Sequence, residues 1–210
     1  MRNIGFDFDL TIADTKDAVI NSIKETFEIM EIHTRYDLGL DFNQFKGLKL
    51  REQIAFLTQG NLTEQQLEDA IDCYMSVYAE IGILKTKLFE GVQELFRYLE
   101  HSGFAIHIVS AKSQINLLRS IEFTELKPYA VIGGVAREKK SQYLIDSGCS
   151  SYVGDMEIDI EIAKRAACKS ILINYLKEET KVWKLIPDKE FDSISSFFDW
   201  IQIEENLRFL

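Results

Sequence analysis

Ile4-Gly5-Phe6-Asp7-Phe8-Asp9-Leu10-Thr11 is a short apolar run that ends in two aspartates one residue apart, with a threonine close behind. As a buried strand over about 3–8, the run sends Phe6 and Phe8 into a core. Strand side chains alternate with period two, so Asp7 and Asp9 fall on one side. Two neighbouring carboxylates repel unless a cation or a shared proton relieves them. Oxygen donors of this kind suit a hard cation such as Mg²⁺. An acidic strand end that merely faces water is the competing reading of the dyad taken alone.

Outward from that stretch, 210 residues suit one large α/β domain or a domain with an insertion. Hydrophobic residues make up 46% of the chain, which is ample for a core. Net charge is −10, from 34 acidic and 24 basic residues. That balance argues against nucleic acid as a partner, which needs clustered Lys and Arg. It also means that an anionic substrate requires local positive charge or a metal. No apolar run approaches the roughly 20 residues of a membrane span. Asp7 and Asp9 come too early for a signal peptide. Cys73, Cys149 and Cys168 lack metal-ligand spacing, and their odd number fits reduced thiols in a cytoplasmic protein. Oligomeric state is not legible.

The pattern after the first strand is helical for a long stretch. Asp14 or Thr15 caps a helix to about Ile32, with Val19, Ile20, Ile23, Phe27 and Met30 on one face. A loop or short helix follows over 41–47, then a helix over 49–57. Thr63-Glu64-Gln65-Gln66 is a capping box that opens a helix to about Ile81. Strands and helices then alternate. Helix 91–101, ended by Gly103, presents Val92, Leu95, Phe96 and Leu99 inward. Strand 104–109, helix 112–121, strand 129–132, helix 138–147, strand 152–153, helix 157–167 and strand 170–173 complete the series. Apolar residues after Ile173 (Phe191, Ile194, Phe197, Phe198, Trp200, Ile201) fit a last helix on the core. Apolar strands alternating with helices predict an α/β fold, a Rossmann-like parallel sheet covered on both faces. Ligands of such sheets bind at the carboxyl ends of the strands.

Further polar groups fall at those ends. Ser110 closes strand 104–109. Its hydroxyl and the Ala111 N–H, at a helix start, suit a phosphate oxygen, or Ser110 simply caps the helix. Lys139 and Lys140 open an apolar helix face of Tyr143, Leu144 and Ile145. Either neutralises a bound phosphate, or the pair is a solvated helix start. In Gly154-Asp155-Met156-Glu157-Ile158-Asp159, Gly154 permits a sharp turn, Asp155 reaches a metal, and Asp159 lies one helical turn further on the same face. The alternative is an acidic first turn that complements the helix dipole.

In order and context these segments resemble the haloacid dehalogenase-like hydrolase superfamily, over essentially the whole chain. DFDLT resembles its first motif, IHIVSAK its second, Lys139 or Lys140 its third, and GDMEID its fourth. Lys140, four residues before Leu144, matches the third-motif spacing better, although the proline that often follows is absent. The helical segment stands where that family inserts an α-helical cap. The resemblance therefore implies a hydrolase core over 1–13 and 88–210 and a cap over 14–87. Phe89-Glu90-Gly91-Val92 resembles the return from the cap. Leu10 occupies a place where many members carry glycine.

The resemblance also implies roles. Asp7 is the nucleophile that forms an aspartyl-phosphate, and Asp9 is the acid/base. Mg²⁺ is held by Asp7, the backbone carbonyl of Asp9, and Asp155, with Asp159 supporting that network. Ser110, Ala111 and Lys140 bind and neutralise the phosphoryl group. The dehalogenases lack an acid/base aspartate at the second position of the dyad, so Asp9 points to phosphoryl chemistry. Gly47-Leu48-Lys49-Leu50-Arg51-Glu52 resembles the cap segment of phosphoglycolate phosphatase-like members. Lys49 or Arg51 would meet an anionic group there, unless both belong to a solvated helix start. The implied activity is hydrolysis of a small phosphorylated metabolite. A phosphomutase, a pyrophosphatase or a catalytically silent binding protein are the alternatives.

Overall fold

The computed structural model describes residues 2–175 and 184–210. It divides into two compact units, one of residues 1–14 with 87–210 and the other of residues 15–86. The first unit begins with β1 (Arg2–Phe6) and the two-residue β2 (Ala13–Asp14).

The second unit is helical: α1 (Lys16–Ile29), α2 (Phe42–Phe45), α3 (Leu50–Leu57) and α4 (Glu64–Val77), followed by a π-helical turn over Tyr78–Gly82 and a 3₁₀ turn over Ile83–Lys85. The capping box forms as expected. The Gln66 N–H donates to Thr63 Oγ1, and the Thr63 N–H donates to Gln66 Oε1. The helix expected to reach Ile81 ends at Val77, where the winding widens. A Cβ on Gly82 would stand 2.3 Å from Ser22 Oγ on α1, so this close approach admits only glycine. Arg51 pairs with Glu64 and Glu68, which ties α3 to α4, and Lys49 is an exposed N-cap.

The first unit resumes with β3 (Lys87–Leu88), antiparallel to β2. Then come α5 (Val92–His101), β4 (Phe104–Val109), α6 (Gln114–Phe123), β5 (Ala130–Ile132), α7 (Arg137–Asp146), β6 (Cys149–Gly154), α8 (Glu157–Arg165), β7 (Lys169–Ile173), β8 (Lys189–Phe191), α9 (Ile194–Ile201) and α10 (Glu204–Leu207). Six strands form one parallel sheet in the order β5-β4-β1-β6-β7-β8. This is an α/β Rossmann-like fold with β1 at its centre. The alternation of β1 divides the core. Ile4 and Phe6 join Leu95, Leu99, Ile108 and Phe197 on one face. The other face packs Tyr152, Leu144, Ile162 and Ala163. No described helix is long and apolar enough to cross a membrane.

Two expectations are corrected. Helix α6 starts at Gln114 rather than 112, because Ser113 is its cap: Ser113 Oγ accepts the Asn116 N–H at 3.3 Å. Ala111 thus lies in an exposed bend and not at a helix start. The chain after Ile173 adds an edge strand, β8, as well as α9. Three-residue strands of mixed polarity carry no clear period.

Candidate active site

The adjacent central strands β4, β1 and β6 all point their carboxyl ends at one place, and each delivers a polar residue just past its end. These residues are Ser110, Asp7 and Asp155. Strand β1 itself stops at Phe6. The Asp7 N–H continues the ladder by donating to the Val153 carbonyl at 2.9 Å. The chain then folds into a tight turn, where the Phe8 carbonyl accepts from the N–H groups of Thr11, Ile12 and Ala13. Leu10 makes this turn at φ 61°, a left-handed conformation that costs a non-glycine residue about 1–2 kcal/mol. The need for a glycine-like conformation at this position is therefore met with a leucine.

Each aspartate of the dyad has its own lysine. Lys140 Nζ lies 3.0 Å from Asp7 Oδ1, and Lys112 Nζ lies 3.0 Å from Asp9 Oδ1. Both lysine side chains are nearly buried. The repulsion expected between Asp7 and Asp9 is thus relieved by two separate cations. Of the two candidate lysines, Lys139 is exposed on α7 and Lys140 is buried among carboxylates. Burial opposes the charge of Lys140, but Asp7, Asp159 and Asp155 together hold its pKa above the usual lysine value.

The crowded carboxylates are Asp7, Asp155 and Asp159, with one oxygen of each within 4.8 Å of the others. Asp155 precedes α8, so the turn, and not helical spacing, brings Asp159 back beside it. Asp159 Oδ2 accepts the Met156 N–H at 3.1 Å. Gly154 is required for space: a Cβ there would come within 2.3 Å of the Asp159 carboxyl carbon. Asp159 Oδ1 is buried with no hydrogen-bond partner, 3.9 Å from Lys140 Nζ. Burial, followed by the Asp7 carboxylate, pushes the Asp159 carboxyl up to about 8. Three carboxylates with one lysine among them and an orphaned buried oxygen are a donor set that fits a hard divalent cation. The cluster includes Asp159, which the sequence reading gave only a supporting place, and leaves the Asp9 carboxylate on Lys112.

Ser110 is buried, and its hydroxyl accepts the Lys112 N–H at 3.3 Å. It does not cap α6. Three contributors escape the sequence reading. Thr11 is fully buried, and its Oγ1 donates to Asp155 Oδ1 at 3.1 Å. Its carbonyl accepts from Tyr175 Oη at 2.8 Å, and the Tyr175 ring stacks on Phe89. Lys112 stands in the quoted IHIVSAK segment, two residues after Ser110, and that proximity was its only signal. Tyr152 lies beneath Lys140 and carries no signal beyond its place in an apolar strand.

A family model for haloacid dehalogenase-like hydrolases matches residues 4–173, and the chain belongs to that family. A curated relative, the "putative pyrophosphatase PpaX" of Clostridium perfringens, is 22% identical over 188 residues, covering 83% of this chain and 85% of its own. Among solved structures, CbbY from Rhodobacter sphaeroides in complex with phosphate superposes with a TM-score of 0.81 at 16% identity, covering 99% of both chains. A predicted phosphoglycolate phosphatase from Haemophilus somnus gives 0.80 at 18%, covering 97% of this chain and 98% of its own.

Proposed function

We propose that this protein is a Mg²⁺-dependent phosphatase that hydrolyses a small phosphate monoester, phosphoglycolate phosphatase-like, through an aspartyl-phosphate on Asp7. The observation that carries the reading is the division of labour in the dyad. Asp7 stands against Lys140 at 3.0 Å inside the carboxylate cluster, and Asp9 stands outside it on Lys112 at 3.0 Å. That division supports a reading in which Asp7 attacks and Asp9 moves protons.

In the first step an Asp7 carboxylate oxygen attacks phosphorus. The bond from phosphorus to the ester oxygen breaks, and that oxygen takes a proton from Asp9. In the second step the Asp9 carboxylate takes a proton from water, whose oxygen attacks the same phosphorus. Asp7 leaves as a carboxylate, with inorganic phosphate as product. Lys140 offsets the charge on the transferring group, and the Ser110 hydroxyl and the Ala111 N–H bind its oxygens. Asp7, the backbone carbonyl of Asp9 and Asp155, with Asp159 supporting them, would hold Mg²⁺. When bound, it supplies the positive charge that lets a carboxylate approach a phosphate dianion. Residues 15–86 serve as the cap that selects the leaving group.

Hydrolysis of p-nitrophenyl phosphate with and without Mg²⁺ tests the reaction class. Turnover that requires Mg²⁺ and is abolished by Asp7→Asn supports it. Full activity in Asp7→Asn refutes the assigned nucleophile. The likeness to PpaX favours pyrophosphate as the second substrate class, so pyrophosphate belongs in the same panel beside phosphoglycolate and sugar phosphates.

A further inference from the structure

Tyr152 has no part in the mechanism above, yet its hydroxyl meets the lysine of the site. It lies on β6 and is fully buried. Lys140 Nζ stands 3.2 Å from Tyr152 Oη, and Oη stands 3.1 Å from the carbonyl of Val109, the last residue of β4. An ammonium only donates and a carbonyl only accepts. The phenol proton therefore goes to Val109, and the phenol oxygen takes a proton of Lys140.

Two acidic side chains flank that ammonium. Asp7 Oδ1 holds it at 3.0 Å. Asp159 Oδ1, buried and without a hydrogen-bond partner, waits at 3.9 Å. An ammonium drawn fully onto Asp159 would leave Asp7, the residue that reacts. Tyr152 Oη offers a neutral acceptor 3.2 Å from that ammonium. The backbone is built around this ring. Gly5 is the register partner of Tyr152 in the neighbouring strand β1. A Cβ on Gly5 would lie 2.9 Å from Tyr152 Cδ2 and 2.7 Å from Leu144 Cδ2. Glycine weakens a strand interior and is found where another group must approach closely. Here the approaching groups are the tyrosine ring and Leu144.

We propose that Tyr152 is a positioning residue for Lys140: its hydroxyl oxygen holds the ammonium on Asp7 and off Asp159. The proposal rests on the phosphatase reading for its kinetic consequence, but not for its geometric one.

Tyr152→Phe keeps the ring and removes the oxygen. In its crystal structure Lys140 Nζ should move to hydrogen-bond distance of Asp159 Oδ1, about 3 Å, and lose Asp7. With p-nitrophenyl phosphate and saturating Mg²⁺, well below the melting temperature, kcat should fall about 10-fold with KM within about twofold. Inhibition by orthovanadate should weaken by a similar factor. A purely structural tyrosine would lower the melting temperature and leave kcat and vanadate inhibition unchanged. That result, or a lysine still seated on Asp7 in the variant, overturns the proposal. Should the variant not fold, the wild-type protein decides. With ¹⁵N-labelled lysine, a resolved Lys140 ammonium signal with a cross-peak to the Tyr152 ring is expected, and its absence refutes the contact. If wild type hydrolyses no phosphate ester or pyrophosphate, the phosphatase reading fails, and the lysine position in Tyr152→Phe still decides this one.

Discussion

Lys140→Met removes one positive charge from among three carboxylates and keeps side-chain length and helix propensity. The Lys140 side chain is 6% exposed, and its ammonium lies 3.0 Å from Asp7 and 3.9 Å from Asp159. At an effective dielectric of about 20 those contacts correspond to gross attractions of about 5 and 4 kcal/mol. The cost of burying the charges offsets much of this. Removal of one partner of a buried ionic group typically costs about 3–5 kcal/mol net. We expect the variant to lose about 3 kcal/mol of stability in urea denaturation with chelator present, and less with Mg²⁺. The pH sign is fixed by the raised pKa of Lys140. Its stabilisation is complete below the ordinary lysine value and fades only as pH rises through the folded one, but Lys140 also favours ionisation of the Asp159 carboxyl, which stands at about 8, so the deficit should hold steady below about pH 8 and widen above it. Loss of a preorganised charge at the phosphoryl group should lower kcat by about 10²–10³. A kcat within tenfold of wild type, or an unchanged urea midpoint in chelator, would refute the argument that this lysine offsets the cluster.

Three further outcomes follow from other parts of the fold. Gly5→Ala should destabilise by about 1–2 kcal/mol, because overpacking against Leu144 and Tyr152 exceeds what leaving glycine gains in a strand; a higher urea midpoint would contradict it. Ala167, exposed at φ 54° just past α8, makes a helix-ending turn in which its N–H reaches Lys164 and the Cys168 N–H reaches Ala163. Ala167→Gly should therefore raise stability by about 0.5–1 kcal/mol in thermal melts. Burial lowers the pKa of His107, which hydrogen-bonds uncharged Tyr143 and lies beside Tyr129. A depressed pKa means that the unfolded chain takes the proton first. Stability should thus fall as pH drops below about 6.5, by up to about 1.4 kcal/mol per unit, and a His107→Gln variant should lack that component in urea titrations at pH 7.5 and 5.5.

The regular parts of this chain were legible in the sequence because their signals are local. The apolar run of Phe104–Val109, the capping box at Thr63 and the inward face of α5 each follow from spacing alone, and each forms. Boundaries slipped where competing caps lay close together. Ser110 and Ser113 both suit a cap, and only Ser113 meets a helix N–H. The edge strand β8 has too few residues to show a period.

For the site, sequence order brought Asp7, Ser110 and Asp155 to one sheet edge, because parallel strands must end on the same side, while the choice between Lys139 and Lys140 stayed open on the residues alone. Which charge meets which was settled only by tertiary structure. Asp9 pairs with Lys112, 103 positions away, and Asp7 with Lys140, 133 positions away. Thr11 bonds Asp155 across 144 positions. No spacing rule spans such separations, since the distances depend on how helices pack on the sheet. Gly5 and Tyr152 show the same limit. Each is an unremarked residue of an apolar strand in sequence, and only their pairing in register shows that one makes room for the other.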